Sequence, residues 1–286
     1  MTFARIILFS ACLALAAGCG DDGATGGTGG DGGAGGDGGA GGAGGGFVPV
    51  GNDFALLFDG EDDFGSAGDV QISLGDTLDR FSVSLWFKAV GTPQTGATMM
   101  QFNPELESGA DSMQVTLLWA SSSEVAVRMT ADATNGPTAE VAAEVDEPTS
   151  WNHILLSFDS DAMSDNVRVH LNGVEAGTAD LDTPLETVGN VQFGRQGAGI
   201  NHFSGLLDEA ALWDVALSSE EAASVYNSGE PRDLLRDFDD YTSSASVRSL
   251  WRMGDENVGD ELNVSDLVSF NHFTVVGGGT FENDTP

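Results

Sequence analysis

The chain has 286 residues, with 45 acidic side chains against 10 basic ones and a formal charge of −35. That surplus argues against nucleic acid and against anionic lipid surfaces as partners, because both are held by basic faces. Two cysteines are too few for a disulfide scaffold, and the acidity itself suits calcium, cationic ligands or solubility in a salty habitat.

Read from its start, Met1-Thr-Phe-Ala-Arg5 carries one basic residue and Ile6–Ala17 is apolar. Such a run suits the core of a signal peptide, about 7–15 residues, and falls short of the roughly 20 that a spanning helix needs. It closes in Ala16-Ala17-Gly18-Cys19, which resembles the bacterial lipobox, although Leu15 stands one place further from the cysteine than the usual leucine. The expectation is a signal over residues 1–18 and lipidation of Cys19. Cys12 leaves with the signal, so no intramolecular disulfide is expected. Gly20 follows the cysteine where an aspartate would retain the protein at the inner membrane. Anchoring in the cell envelope, at the outer membrane or cell surface, is the expected localisation.

Residues 20–46 hold 17 glycines among 27 residues, separated only by Ala, Thr and Asp. A segment without apolar side chains cannot offset its backbone entropy by burial, so residues 19–46 are expected to form a disordered tether. The three-residue period is not collagen, which needs proline.

Residues 47–286 are read as one domain, since all-β domains commonly reach 200–250 residues. Short alternating runs follow one another between turn signals. Phe54–Phe58 stops at the turn dipeptide Asp59-Gly60. Phe81, Val83, Leu85 and Phe87 alternate with Ser82, Ser84, Trp86 and Lys88. Val115–Trp119 and Val125–Met129 form a hairpin across Ala120–Ser123. Trp151–Phe158 is another run, and Val167–Leu171 leads into Asn172-Gly173, a strong signal for a tight hairpin. Asn190–Gly194 and Phe203–Trp213 complete the series. One short helix is expected after the capping box Ser218-Ser-Glu-Glu221, running through Ala222, Ala223, Val225 and Tyr226 and ending at Gly229. Many strands and one helix predict an all-β fold, a two-sheet antiparallel sandwich.

Six segments, taken in order, resemble the laminin-G-like, concanavalin A-like jelly-roll family. They are Phe58-Asp-Gly-Glu-Asp-Asp-Phe64, Phe81–Lys88, Trp151-Asn-His-Ile154, Val167–Gly173, Phe203–Glu209 with Leu212-Trp213, and Ala216–Tyr226. The resemblance spans residues 54–228. Leu250–Asp255 also recurs in the family and implies that residues 229–286 add strands. The implied fold is a jelly roll. The family includes lectins, adhesion modules and glycosidases, so function must be argued from a site.

The resemblance also implies a calcium held by Asp59, the Gly60 carbonyl and Asp208. The other reading makes Asp59 a turn former and pairs Asp208 with an arginine. Asp159-x-Asp161-x-x-x-Asp165 lacks the glycine and glutamate of an EF-hand loop. Glu144-Val-Asp146-Glu-Pro-Thr149 is the nearest approach to a glycosidase E-x-D-x-x-E strand, but threonine stands at its last position and Pro148 breaks it. His153, His170, His202 and His272 show no zinc spacing, and no nucleophile elbow occurs. Of the five tryptophans, Trp86 and Trp119 are the candidates for an exposed ligand platform. The leading expectation is a non-catalytic, lipid-anchored binding or adhesion module for glycan or surface protein, with calcium as its candidate cofactor. The alternatives are a structural envelope lipoprotein without a specific ligand and, third, a glycoside hydrolase.

Overall fold

The computed structural model describes residues 52–69, 79–103, 114–131, 138–181, 189–197, 199–255 and 262–286. The expected signal, Cys19 and the tether lie outside them. Among the described residues no helix is long and apolar enough to cross a membrane.

Two antiparallel sheets stack as a sandwich. Sheet A contains β1 (Ala55–Asp59), β3 (Arg80–Ala89), β8 (Asn152–Asp159), β9 (Val167–Leu171), β10 (Val174–Ala179), β12 (Ser204–Trp213), β13 (Val247–Trp251) and β16 (Thr280–Glu282). Their order is β10-β9-β8-β3-β12-β1-β16, with β13 also pairing with β12. Sheet B contains β2 (Phe64–Asp69), β4 (Thr98–Phe102), β5 (Gln114–Trp119), β6 (Glu124–Thr130), β7 (Thr138–Glu144), β11 (Asn190–Phe193), β14 (Asn263–Val264) and β15 (Phe273–Val276). Its order is β14-β15-β2-β11-β4-β5-β6-β7.

The period-two pattern fills the space between the sheets. Phe81, Val83, Leu85 and Phe87 from sheet A meet Val115, Leu117, Val127 and Phe193 from sheet B, all buried. Each such side chain stabilises the fold by about 1.5–3 kcal/mol relative to exposure. Asn172 and Gly173 take φ of 50° and 74°, the pair of left-handed residues that closes a tight hairpin between β9 and β10.

Sheet A is covered on its outer face as well. A second cluster joins Leu155, Ala211, Trp213 and Leu250 to Leu217, Ala222, Val225 and Tyr241 of the segment that follows β12. The small hydroxyls alternating along β3 and β8 secure this layer. Ser82 Oγ accepts from the Leu217 N–H (2.8 Å) and donates to the Val215 carbonyl (2.9 Å), and Ser157 Oγ donates to the Leu217 carbonyl (2.9 Å). The helix α1 (Ser219–Tyr226) carries the expected capping box on Ser218 and Glu221. It ends earlier than expected: Asn227, at φ 47°, supplies the left-handed cap in place of Gly229.

Residues after α1 complete both sheets, as the resemblance implied. β13 adds to β12, β14 and β15 extend sheet B beyond β2, and β16 pairs with β1. Asn283 Nδ2 donates to the Asp53 carbonyl (3.1 Å) and Thr285 Oγ1 to the Asn52 carbonyl (3.1 Å), tying the last strand beside the first.

Candidate functional site

The register separates the residues expected to share a calcium. Asp59 pairs with Ser204, whereas Asp208 lies past the Leu56–Leu207 pair. Four residues along a strand span roughly 13 Å, so Asp59 and Gly60 cannot share an ion with Asp208. Gly60 serves the turn: at φ 85°, an added Cβ would stand 2.8 Å from the Ser204 Cβ.

Asp208 belongs instead to a buried charge cluster. Its Oδ1 accepts from the Glu209 N–H at 2.7 Å. Arg252 bonds Glu209 at 2.7 Å and Asp255 at 2.9 Å. Asp255 Oδ1 accepts the N–H groups of Asp53 and Phe54 at 2.8 and 2.9 Å. Burial pushes the Asp208 carboxyl well above its ordinary range, aided by the Glu209 charge. Burial also raises Glu209 to about 7, against the pull of Arg252. The arginine of the alternative reading is therefore present, but it pairs with the neighbouring Glu209.

A different acidic group forms at the first turn. One ligand atom each from Asp59, Asp62 and Asp63 lies within 4.8 Å of the others. Asp63 Oδ2 accepts from the Asp59 N–H at 2.9 Å, while its buried Oδ1 has no hydrogen-bond partner. Burial raises the Asp63 carboxyl. The loop packs against Gly277, where a Cβ would come within 2.5 Å of the Asp62 carbonyl oxygen. Three carboxylates this close, one of them buried with an oxygen that has no hydrogen-bond partner, form a hard oxygen donor set of the kind that calcium takes.

Neither candidate platform tryptophan is available. Trp86, 3% exposed, is stacked on Tyr226 of α1 (5.6 Å, 25°) and touches His153 (5.0 Å). Trp119, 1% exposed, meets Phe87 edge-on inside the sandwich. The serines beside Trp86 suggested exposure, but both are buried beneath the covering segment, and Ser82 bonds to it. Glu144 closes β7, whereas Asp146 and Glu147 lie in the loop after it. These acids do not share a strand face; they line a cavity of about 430 Å³ with Trp151, Asn152 and Asn172.

The outer face of sheet B is polar. Register by register, Ser66, Gln192, Gln101, Thr116, Arg128 and Glu140 stand side by side across six strands, a row of roughly 24 Å at about 4.8 Å per strand. Gln101 Nε2 donates to Thr116 Oγ1 (3.1 Å), Arg128 Nε to Glu140 (2.6 Å), and the Gly197 N–H to Gln101 Oε1 (2.9 Å). At the Ser66 end the row opens into a groove of about 590 Å³. Its lining comes from Phe64, Ser66, Asn263, Ser265, His272, Phe273, Thr274 and Val276. The Arg195 guanidinium lies over the Phe64 ring, 3.3 Å from its centroid. Phe270, 95% exposed, stands edge-on to the His272 ring (6.4 Å, 90°). Sequence reasoning missed this groove. Half of it comes from strands after residue 229, and its one available signal was Phe270, an aromatic residue in the polar stretch Ser269–His272.

The family model described as the concanavalin A-like lectin/glucanases superfamily matches residues 59–223. Among solved structures, a protein from Bacteroides ovatus described as a candidate carbohydrate binder is 14% identical. The match covers 82% of this chain and 60% of that one, with a TM-score of 0.57. A heptameric serum-amyloid-P-like pentraxin from Limulus polyphemus is 15% identical over 63% of this chain and 86% of its own, with a TM-score of 0.46. No curated protein matches the sequence.

Proposed function

Since the chain belongs to the concanavalin A-like lectin/glucanase superfamily, we propose that its domain is a non-catalytic glycan-binding module working through the groove on sheet B. The observation that carries this reading is the groove's composition. It combines hydroxyl, amide and imidazole groups, and beside its His272 the Phe270 ring, outside the lining, stands 95% exposed. Pyranose rings offer an apolar face to stack and hydroxyls to bond, and a ligand site is commonly a concavity of 300–1,000 Å³. The described Bacteroides ovatus protein has the same fold and is named for carbohydrate binding, which supports the reading.

Calcium is the cofactor assigned here, with Asp59, Asp62 and Asp63 as the residues that would hold it. When bound it would neutralise their mutual repulsion and stiffen the loop that leads into Phe64. The domain is presented at the cell envelope through lipid on Cys19. Metabolic labelling with palmitate tests that anchor: incorporation that persists in Cys19→Ser refutes it.

The test of binding is retention of the full-length chain on insoluble polysaccharides and cell-envelope fractions, in calcium and again in EDTA. Retention on at least one material, reduced tenfold or more by Phe270→Ala, is expected. Retention that ignores Phe270→Ala places the binding elsewhere, and a folded chain retained on nothing refutes the module. Loss in EDTA, reproduced by Asp63→Asn, assigns the calcium; indifference to both removes it.

A further inference from the structure

We propose that α1 is an acid-released cover: protonation of the two imidazoles beneath it frees the helix and uncovers Trp86, while the sandwich stays folded. This inference is independent of the glycan-binding reading. The helix rests on a histidine at each end. At its start, Ser219 Oγ lies 3.0 Å from His170 Nε2. At its end, the Tyr226 ring stacks on Trp86 (5.6 Å, 25°) and on His153 (6.2 Å, 27°). Both imidazoles are 1% exposed. They share one face of sheet A, because His170 pairs with Leu155, two residues along β8 from His153. Neither ring nitrogen of His153 has a hydrogen-bond partner, and His170 Nδ1 has none. Among the described residues, a proton on His153 therefore meets no acceptor, and one on His170 meets only the Ser219 hydroxyl. A buried charge without a partner is strongly disfavoured, so the proton enters where water reaches the ring.

The charged groups around the pair are engaged elsewhere. On β10, Glu175 stands across from His170 but pairs with Arg168 of β9 at 3.1 Å. On β12, Asp208 stands across from Trp86, which separates it from His153. On β3, Lys88 is held by Asp284 (2.6 Å). On α1, Glu221 is bonded to Ser218 and Ser243 and Glu220 is exposed. The end of the helix turned to His170 is its positive one. Burial lowers His153 to about 3, and the neighbouring His170 adds to this. Burial lowers His170 as well, with Glu175 opposing and Arg168 assisting. Both rings thus bind protons more tightly once the helix is off, and acid drives the opening. For His153 alone, a rise from about 3 to the ordinary 6.5 increases the open fraction on the order of a hundredfold between pH 7 and pH 4. The cover is lightly fastened: α1 has eight residues, and its buried apolar side chains are Ala222 and Val225. Leu217, just before it, is bonded to Ser82 and Ser157, so the helix swings from that point without parting the sheets. The sandwich does not lose by the same change, since Asp208 and Glu209 are raised and hold protons when folded.

The experiment is hydrogen exchange on the full-length chain at pH 7 and pH 4, each rate divided by that of an unstructured peptide at the same pH. Local opening appears as lost protection in one element while the rest keeps its own. Protection of the α1 amides is expected to fall at least tenfold more than that of β3 and β12. His153→Phe keeps a ring between Trp86 and Tyr226 but takes no proton, and is expected to remove most of that fall; adding His170→Asn removes the remainder. Equal losses in helix and strands mean global unfolding and overturn the inference. So does α1 protection that ignores pH, or an acid response that survives both substitutions. The wild-type comparison of helix with strands can overturn it even if the variants misfold.

Discussion

Asp208, Glu209 and Asp255 bring three carboxylates around the single Arg252 in a space nearly closed to water. Ionising all three would bury more negative than positive charge, so the folded domain holds protons that the unfolded chain releases. Asp208 and Glu209 have raised folded pKa values. Their stabilising contribution is therefore fully present below the ordinary carboxylate range. It is lost as pH rises, through about 7 for Glu209. His153, lowered to about 3 by burial, runs the other way and costs stability as pH falls below the ordinary histidine range. Comparing a variant with the parent separates the two. Asp208→Asn is expected to melt close to the parent at pH 4 and several degrees above it at pH 8, at roughly 2–4 °C per kcal/mol for a domain of this size. Calorimetric scans at both pH values check this. An equal shift at both would mean that the carboxyl is not held in its protonated form.

At the scale of elements, α1 is short and depends on its cap. Ser218 Oγ accepts from the Glu221 N–H (3.2 Å), and the Ser218 N–H donates back to Glu221 Oε2 (3.1 Å). Glu221 Oε1 also accepts from the Ser243 hydroxyl (2.6 Å), so the same side chain holds the loop before β13. Ser218→Ala is expected to cost about 1 kcal/mol, and Glu221→Ala more, because it also releases Ser243. Urea unfolding followed by tryptophan fluorescence measures both; equal costs would mean that the loop contact contributes nothing. This element also shows what the sequence could reveal. The capping box, the Asn172-Gly173 hairpin and the alternation along β3 are local patterns, so they were legible without coordinates. The covering of Trp86 by Tyr226 was not, because it depends on a helix 140 residues further along the chain. The calcium set failed for a similar reason: which residue of β12 stands opposite Asp59 is decided by register. The groove lay furthest out of reach, joining Phe64 and Ser66 to side chains about 200 residues away.

At the scale of the whole molecule, the formal charge of −35 opposes compaction. The ion pairs that relieve it are mostly exposed, such as Arg80 with Asp159 and Asp161 or Arg128 with Glu140. Pairs of that kind contribute about 0–1 kcal/mol each. Self-repulsion reaches about 30 Å at 0.01 M salt and about 10 Å at 0.1 M. The melting temperature is therefore expected to climb as sodium chloride rises from 0.01 to 0.5 M. A flat or falling curve would show that surface ion pairs outweigh the net repulsion.

The pairing of β16 with β1, fastened by Asn283 on Asp53 and Thr285 on Asn52, makes the domain nearly a closed loop. Residues 52–55 and 280–285 are neighbours in space, so a few glycines would join them, and the chain could be cut instead at the β5–β6 turn, where Ser122 and Ser123 are exposed. Such a circular permutant should assemble the same two sheets, since no strand pairing depends on which segment is made first. What it would change is the corner from which the groove is presented, offering a way to turn the proposed binding face without altering a residue in it.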